Sequence, residues 1–163
     1  MARQGLWEKR IIIIRRCSME RGKGMASMSL RGHHLICQLG FRGMGYNQEF
    51  IDKMTEVVDL VKSNADLKIK VLNEQDVLCE SCPNRLSRKC FSEIDETDDW
   101  RIKEMDNYVL HKLDLKAEEV YLVSEIVEKI KSNFSVEDMD RLCQHCNWRQ
   151  YGYCDEGLQT LIE

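Results

Sequence analysis

Proline is almost missing from this 163-residue chain, which contains one, and glycine occurs nine times. A strand-rich architecture needs turn residues every few positions, so this scarcity points away from a sandwich or barrel and towards helices. Long apolar runs are lacking as well. The run Ile11 to Ile14 in the N-terminal segment is far shorter than a signal-peptide core or a spanning helix, so no membrane role is expected. No single sign of charge dominates: 24 Lys and Arg face 28 Asp and Glu, a net charge of −4. The balance is uneven along the chain. Residues 1–27 hold seven basic and two acidic side chains, and the other 136 hold 17 basic and 26 acidic, a balance of −9. So acidic a body suits nucleic acid poorly, because affinity for it is built on neutralising phosphates.

Cysteine is plentiful: the chain has eight. Without an export signal, these are expected to be reduced thiols serving metals in the cytoplasm. Six of them form a duplicated unit. Residues 76–90 and 140–154 both read Asp-x-Leu-Cys-x-x-Cys-x-x-Arg-x-x-x-x-Cys, with matched positions 64 apart. The first copy contains Asp76, Leu78, Cys79, Cys82, Arg85 and Cys90; the second contains Asp140, Leu142, Cys143, Cys146, Arg149 and Cys154. Cys-x-x-Cys turns two thiolates towards one ion or cluster, and the repeated third cysteine argues against unrelated core thiols.

Six thiols do not divide into one tetrahedral zinc site, which would use four and strand two. Two three-cysteine sites need two more donors, and Arg31-Gly-His-His-Leu-Ile-Cys37 offers them in Cys37 and either His33 or His34. The alternative is one four-thiolate cluster built from one unit plus Cys37, with the other unit holding something else. Three-cysteine units with an outside fourth ligand suit a cubane iron–sulfur cluster, [4Fe–4S]. Zinc is the other expectation, using Cys79, Cys82, Cys143 and Cys146 as paired hooks. Arg85 and Arg149 read as cations beside an anionic cluster, or as surface partners of Asp76 and Asp140 in their own repeats. Gly40, Gly43 and Gly45 lack the ending of a phosphate loop and are expected to allow close backbone approach. Cys17, His111 and His145 are expected to stand apart from the metal.

The expected fold is mainly α with one short strand or small β element: a single cysteine-rich domain over 28–163, organised around the metal sites. Residues 1–27 are expected to be a disordered or mis-annotated extension. The expected helices are Leu30 to Leu39, one capped by Asn47 and running to about Ser63, about Asp95 to Leu113, about Ala117 to Ser132, and one opened by Ser135 and Asp138 that delivers Cys143 and Cys146. The segment Leu67 to Leu72 alternates as a strand. The two helices between the repeats are expected to fold back antiparallel, returning Cys143 towards Cys79.

Leu30-Arg-Gly-His-His-Leu-Ile-Cys37, Gly40-Phe-Arg-Gly-Met-Gly-Tyr46 and the two Cys-x-x-Cys units resemble a family of small bacterial and archaeal proteins, domain of unknown function 1284, whose members are suggested to bind iron–sulfur clusters. The resemblance runs from about Met28 to the C-terminus. It implies a metal role for Cys79, Cys82, Cys90, Cys143, Cys146 and Cys154, and draws attention to His33, His34 and Cys37; it implies no substrate. The functional expectation is a cytoplasmic iron–sulfur protein serving electron transfer, or acting as an accessory to a redox enzyme, with a protein redox partner. The alternatives are a zinc-stabilised helical interaction module, or an enzyme using His33, His34 and Cys37 beside a cluster.

Overall fold

In the computed structural model, residues 27–91 and 98–163 are described. Expectations for Ile11 to Ile14, for Cys17 and for the start of the helix near Asp95 lie outside the described residues. Ser27, counted above with the extension, already belongs to strand β1 (Ser27–Arg31). The strand leads directly into helix α1 (Gly32–Cys37) and a 3-10 turn at Gln38–Gly40. The helix expected from Leu30 therefore starts at Gly32, because Leu30 and Arg31 pair with a neighbouring strand.

That neighbour is β2 (Lys68–Leu72), the strand legible in the sequence, and it forms the middle of a sheet. It pairs parallel with β1, Ser27 opposite Lys68 and Arg31 opposite Leu72, and antiparallel with β5 (Val120–Leu122). A second, two-stranded ribbon joins β3 (Arg85–Leu86) to β4 (Lys89–Cys90). One convincing strand thus becomes a three-stranded sheet and a hairpin. The helix expected from Ala117 is displaced for the same reason. Asp114 and Glu118 take left-handed φ angles of 49° and 68°, and Val71 exchanges backbone hydrogen bonds with Glu118 and Glu119 at 2.8 and 2.9 Å. The chain is committed to β2 there and becomes helical only at α4 (Val123–Asn133).

The remaining helices are α2 (Gln48–Ser63), α3 (Asp98–Lys112), α5 (Val136–Leu142) and α6 (Tyr153–Ile162). The Asn47 side chain accepts from the Phe50 amide at 2.8 Å and caps α2. Ser135 and Asp138 form the reciprocal capping box of α5. Helix α5 ends before its cysteines: Cys143 is its C-cap and Cys146 lies in the turn beyond.

Phe50, Met54, Val57 and Val58 of α2, Ile69 and Val71 of β2, Val109, Leu110 and Leu113 of α3, and Val123, Ile126 and Ile130 of α4 share one core with Leu30, Leu35 and Leu158. Each fully buried aliphatic side chain contributes roughly 1.5–3 kcal/mol there. Helix α3 packs on α1, so the antiparallel pair expected between the repeats gives way to a contact between α3 and the His-His segment. Gly32 permits it: a Cβ at that position would lie 2.5 Å from the Asp106 carbonyl oxygen. Among the described residues, no helix is long and apolar enough to cross a membrane.

Candidate metal centre

The α1–α3 contact is built on a buried acid. Asp106 faces the core of α3, fully buried. One of its oxygens, Oδ2, accepts from Arg31 Nε at 2.9 Å and Nη2 at 2.7 Å. The other, Oδ1, accepts from the His33 amide at 3.1 Å and meets His33 Nδ1 at 2.7 Å. Burial alone would raise the Asp106 carboxyl, but its hydrogen bonds and charge interactions with His33 and Arg31 hold it below the ordinary value. Burial, followed by the charge of His34, lowers His33 to about 4. The His33 ring is therefore neutral at pH 7, donating from Nδ1 and leaving Nε2 as a lone pair.

His34 is held the same way by the first residue of the first repeat: its Nδ1 lies 2.7 Å from Asp76 Oδ2. That oxygen also accepts from the Arg31 amide at 2.8 Å, while Oδ1 accepts from the Leu78 and Cys79 amides at 3.0 and 3.1 Å. Four donors fill the four acceptor sites of this carboxylate, and they hold it well below the usual range despite burial. The two imidazoles sit edge to face, ring centroids 4.3 Å apart. Each has its Nδ1 fixed by an aspartate, the arrangement that orients histidine for a metal or a proton.

Both cysteine units share a backbone pattern at their hearts. The Cys82 amide donates to the Cys79 carbonyl at 3.2 Å and the Arg85 amide to the Cys82 carbonyl at 3.1 Å; Cys146 to Cys143 and Arg149 to Cys146 repeat this at 3.1 Å each. After that the units diverge. In the first, Cys90 lies on β4 of the hairpin; in the second, Cys154 lies in the first turn of α6.

A cavity of about 1260 Å³ lies between them, lined by His33, His34, Cys37, Cys90, Cys143, Cys146 and Cys154. Cys37 joins the second unit here. Burial raises its thiol well above the ordinary value, and charge on Cys143, Cys146 and Cys154 adds to the shift. Burial raises Cys143 to about 12, with Cys146 and Cys154 next in effect. The 3-10 turn after α1 closes on the same group: a Cβ at Gly40 would stand 2.5 Å from the Cys154 sulfur. Half of Tyr46 is exposed. Its phenol is nevertheless raised by burial among neighbouring atoms and by the thiols of Cys82, Cys37, Cys146 and Cys90, members of both repeats.

Donor spacing separates two regions. Among the described residues, the group His34, Asp76 and Cys79 brings three donor atoms within 4.8 Å of one another, and no three of Cys37, Cys143, Cys146 and Cys154 do so. Sulfurs bound to one tetrahedral zinc at the usual bond length would lie about 3.8 Å apart.

Residues 45–152 match a family described as protein of unknown function, DUF1284. The chain belongs to that family. The match takes in Cys79, Cys82, Cys90, Cys143 and Cys146, while Cys37, His33, His34 and Cys154 lie outside it, a narrower span than the resemblance from Met28 onwards. No curated protein and no solved structure matches the chain.

The two repeat arginines part company. Arg149 pairs with Asp140 of its own repeat and with Asp155 at 2.8 Å, and its charge also reaches Cys143 and Cys154. Arg85 is exposed, its Nε donating to the Ser87 carbonyl at 3.3 Å, and Asp76 serves His34 instead. The cation beside the first unit is Arg31, whose Nη1 lies 3.5 Å from the Cys79 sulfur. Sequence reasoning missed Arg31 and Asp106. The available signal was an acid on the apolar face of α3, one turn after Ile102 and one before Leu110. His111 is exposed and is not among the residues lining the cavity, whereas His145, also exposed, lines it. Of the three glycines, Gly40 makes the close approach to a thiol, Gly45 approaches Phe50 and Ile51, and Gly43 has open space around it.

Proposed function

We propose that the protein carries an iron–sulfur cluster on Cys37, Cys143, Cys146 and Cys154 and serves electron transfer. The observation that supports this most is the way Cys37, from a different part of the chain, joins the three thiols of the second repeat around one cavity. Among the described residues no three of them bring their sulfurs within 4.8 Å of one another, and a cluster with its irons at separate corners accepts ligands farther apart than a single ion does. The chemistry of the site fits such a group. Cys143 is 4% exposed, and its thiol lies 3.9 Å from the Met139 thioether. The Gly40 backbone leaves room at Cys154 that a side chain would fill.

When bound, a cluster supplies a one-electron redox couple at a potential set by charge, hydrogen bonds and solvent access. The chain's own part is to hold four thiolates and to offset their charge. Burial raises the Cys143 and Cys154 thiols, and the charge of Arg149 opposes that rise. Tyr46 and Trp148, ring centroids 4.8 Å apart, also line the cavity.

Reduction of anaerobically reconstituted protein with dithionite tests this reading. The expected result is a bleached visible absorption and a new paramagnetic signal, both lost in Cys37→Ser. An unchanged spectrum on reduction would overturn it.

One observation favours a second reading, catalysis beside the cluster: two imidazoles reach the cavity with Nδ1 fixed by aspartates. Their Nε2 atoms would then give or take protons on a bound substrate. A substrate-dependent activity abolished by both His33→Gln and His34→Gln, with iron content retained, is the result this reading expects.

A further inference from the structure

The cavity between the repeats gathers positive charge. Among the described residues its lining holds four arginines, Arg42, Arg85, Arg101 and Arg141, and one acid, Glu104. The chain from residue 28 onwards has the opposite balance, 17 basic and 26 acidic side chains. Cations are thus collected in the concave part of an acidic body. We propose that this cavity binds a small organic anion with a flat apolar body, held by Arg101 and Arg141 in the part lined by α3. If His33 and His34 act on a substrate, this anion is its class; that part rests on the catalytic reading, and the binding does not.

The arginines divide between two ends of the cavity. Arg42 belongs with the thiols: its guanidinium carbon lies 5.7 Å from the centroid of the Tyr153 ring, next to Cys154 in the chain. Arg101 and Arg141 belong with α3. Arg101, Met105 and Tyr108 follow one another on α3 at spacings of four and three, which puts them on one face, and all three line the cavity. Arg141 comes from α5 to the same face, its guanidinium carbon 4.7 Å from the centroid of the Tyr108 ring. A guanidinium laid on an aromatic ring still presents an edge of N–H donors, and that edge matches a carboxylate or a phosphate in two parallel bonds.

The walls and the volume fit the same class of ligand. Phe91 and Ile102 line the cavity beside Met105 and Tyr108, an apolar and aromatic surface against which a flat ring can stack. Apolar walls with a few placed polar groups are the make-up of a small-molecule site. The cavity's volume of about 1260 Å³ is above the roughly 300–1,000 Å³ of such sites, so the four thiols leave room for a ligand beside them. Arg101 is half-buried, which suits a ligand that enters the cavity better than a protein that covers it. Cations in a concave site with apolar walls raise the local concentration of anions. The imidazoles of His33 and His34 line the same space, each with Nδ1 tied to an aspartate at 2.7 Å.

Titration calorimetry on the purified full-length protein tests this with benzoate, phenyl phosphate and benzamide, three probes that share a ring and of which the first two are anions. The expected result is that one or both anions bind at least about tenfold more tightly than benzamide, the scale of a hydrogen bond to a charged group. The tighter of the two names the anionic group, and its advantage shrinks as salt is added. Arg101→Gln and Arg141→Gln weaken that anion and leave benzamide unchanged, whereas Glu104→Gln, which removes the acid from the lining, strengthens it. Lys116→Gln, at an exposed cation outside the cavity, changes neither. Equal binding of all three probes, or anion affinity unaltered in both arginine variants, would overturn the site. The catalytic reading fails separately. Anion binding that persists in His33→Gln and His34→Gln, with no substrate-dependent activity in the parent, would uphold this site and refute catalysis.

Discussion

Gly40 and Cys154 stand backbone to backbone: a Cβ on residue 40 would lie 2.9 Å from the Cys154 Cα and amide nitrogen, and 2.5 Å from its sulfur. The clash is with main chain as well as thiol, so it cannot be relieved by a rotamer change. Gly40→Ala should therefore destabilise the protein by about 1–3 kcal/mol, the usual cost of overpacking, and reduce the iron it retains. Thermal unfolding with iron analysis checks both. Parent-like stability and iron content in Gly40→Ala would mean that the turn yields and does not define the centre.

Asp106 joins Arg31 and His33 of the His-His segment to α3 through four hydrogen bonds. Removing it leaves a buried guanidinium without its counter-charge. Asp106→Ala is expected to cost about 3–5 kcal/mol, as broken buried ion pairs do, and Asp106→Asn less. Urea unfolding measures this. A loss below about 1 kcal/mol, the scale of an exposed pair, would show that solvent replaces the carboxylate.

Asp138 gives the acid side of the stability profile. It accepts from Tyr108 at 2.5 Å, from the Ser135 amide at 2.9 Å and pairs with Lys112 at 2.9 Å, and against the effect of burial these hold its carboxyl down at about 2. A carboxyl lowered on folding contributes stability that is complete above its unfolded value near 3.8 and is lost as pH falls towards 2. Asp138→Asn should therefore flatten the stability change between those two pH values. Ser135→Ala, which removes the other half of the cap, should cost about 1 kcal/mol at neutral pH. An unchanged acid limb in Asp138→Asn would show that other carboxylates govern it.

What was legible in the sequence was local. Asn47, Ser135 and Asp138 cap their helices within three residues, and the Phe50, Met54, Val57 stripe depends on spacing alone. Strands β1 and β5 were not legible, because their partners lie far along the chain: Ser27 pairs with Lys68, and Tyr121 with Ile69. Val120 and Leu122 also satisfy a helical stripe, and only the backbone of β2 decides between the two. In the candidate site, the repeat and Cys37 stand out in the sequence as candidate donors by their spacing. Their sorting was not legible, since it depends on α3 bringing Asp106 beneath α1 and on Asp76 turning back to His34, contacts 73 and 42 residues apart in sequence.

The central claim is that Cys37 completes a four-thiolate cluster site with Cys143, Cys146 and Cys154. Iron and acid-labile sulfide per chain, measured after anaerobic reconstitution of the parent, Cys37→Ser and Cys82→Ser, test it most directly. The account predicts about four iron and four sulfide in the parent, as for one cubane cluster, most of it lost in Cys37→Ser and most retained in Cys82→Ser. Zinc without acid-labile sulfide in the parent, or parent-like iron and sulfide in Cys37→Ser, would contradict it.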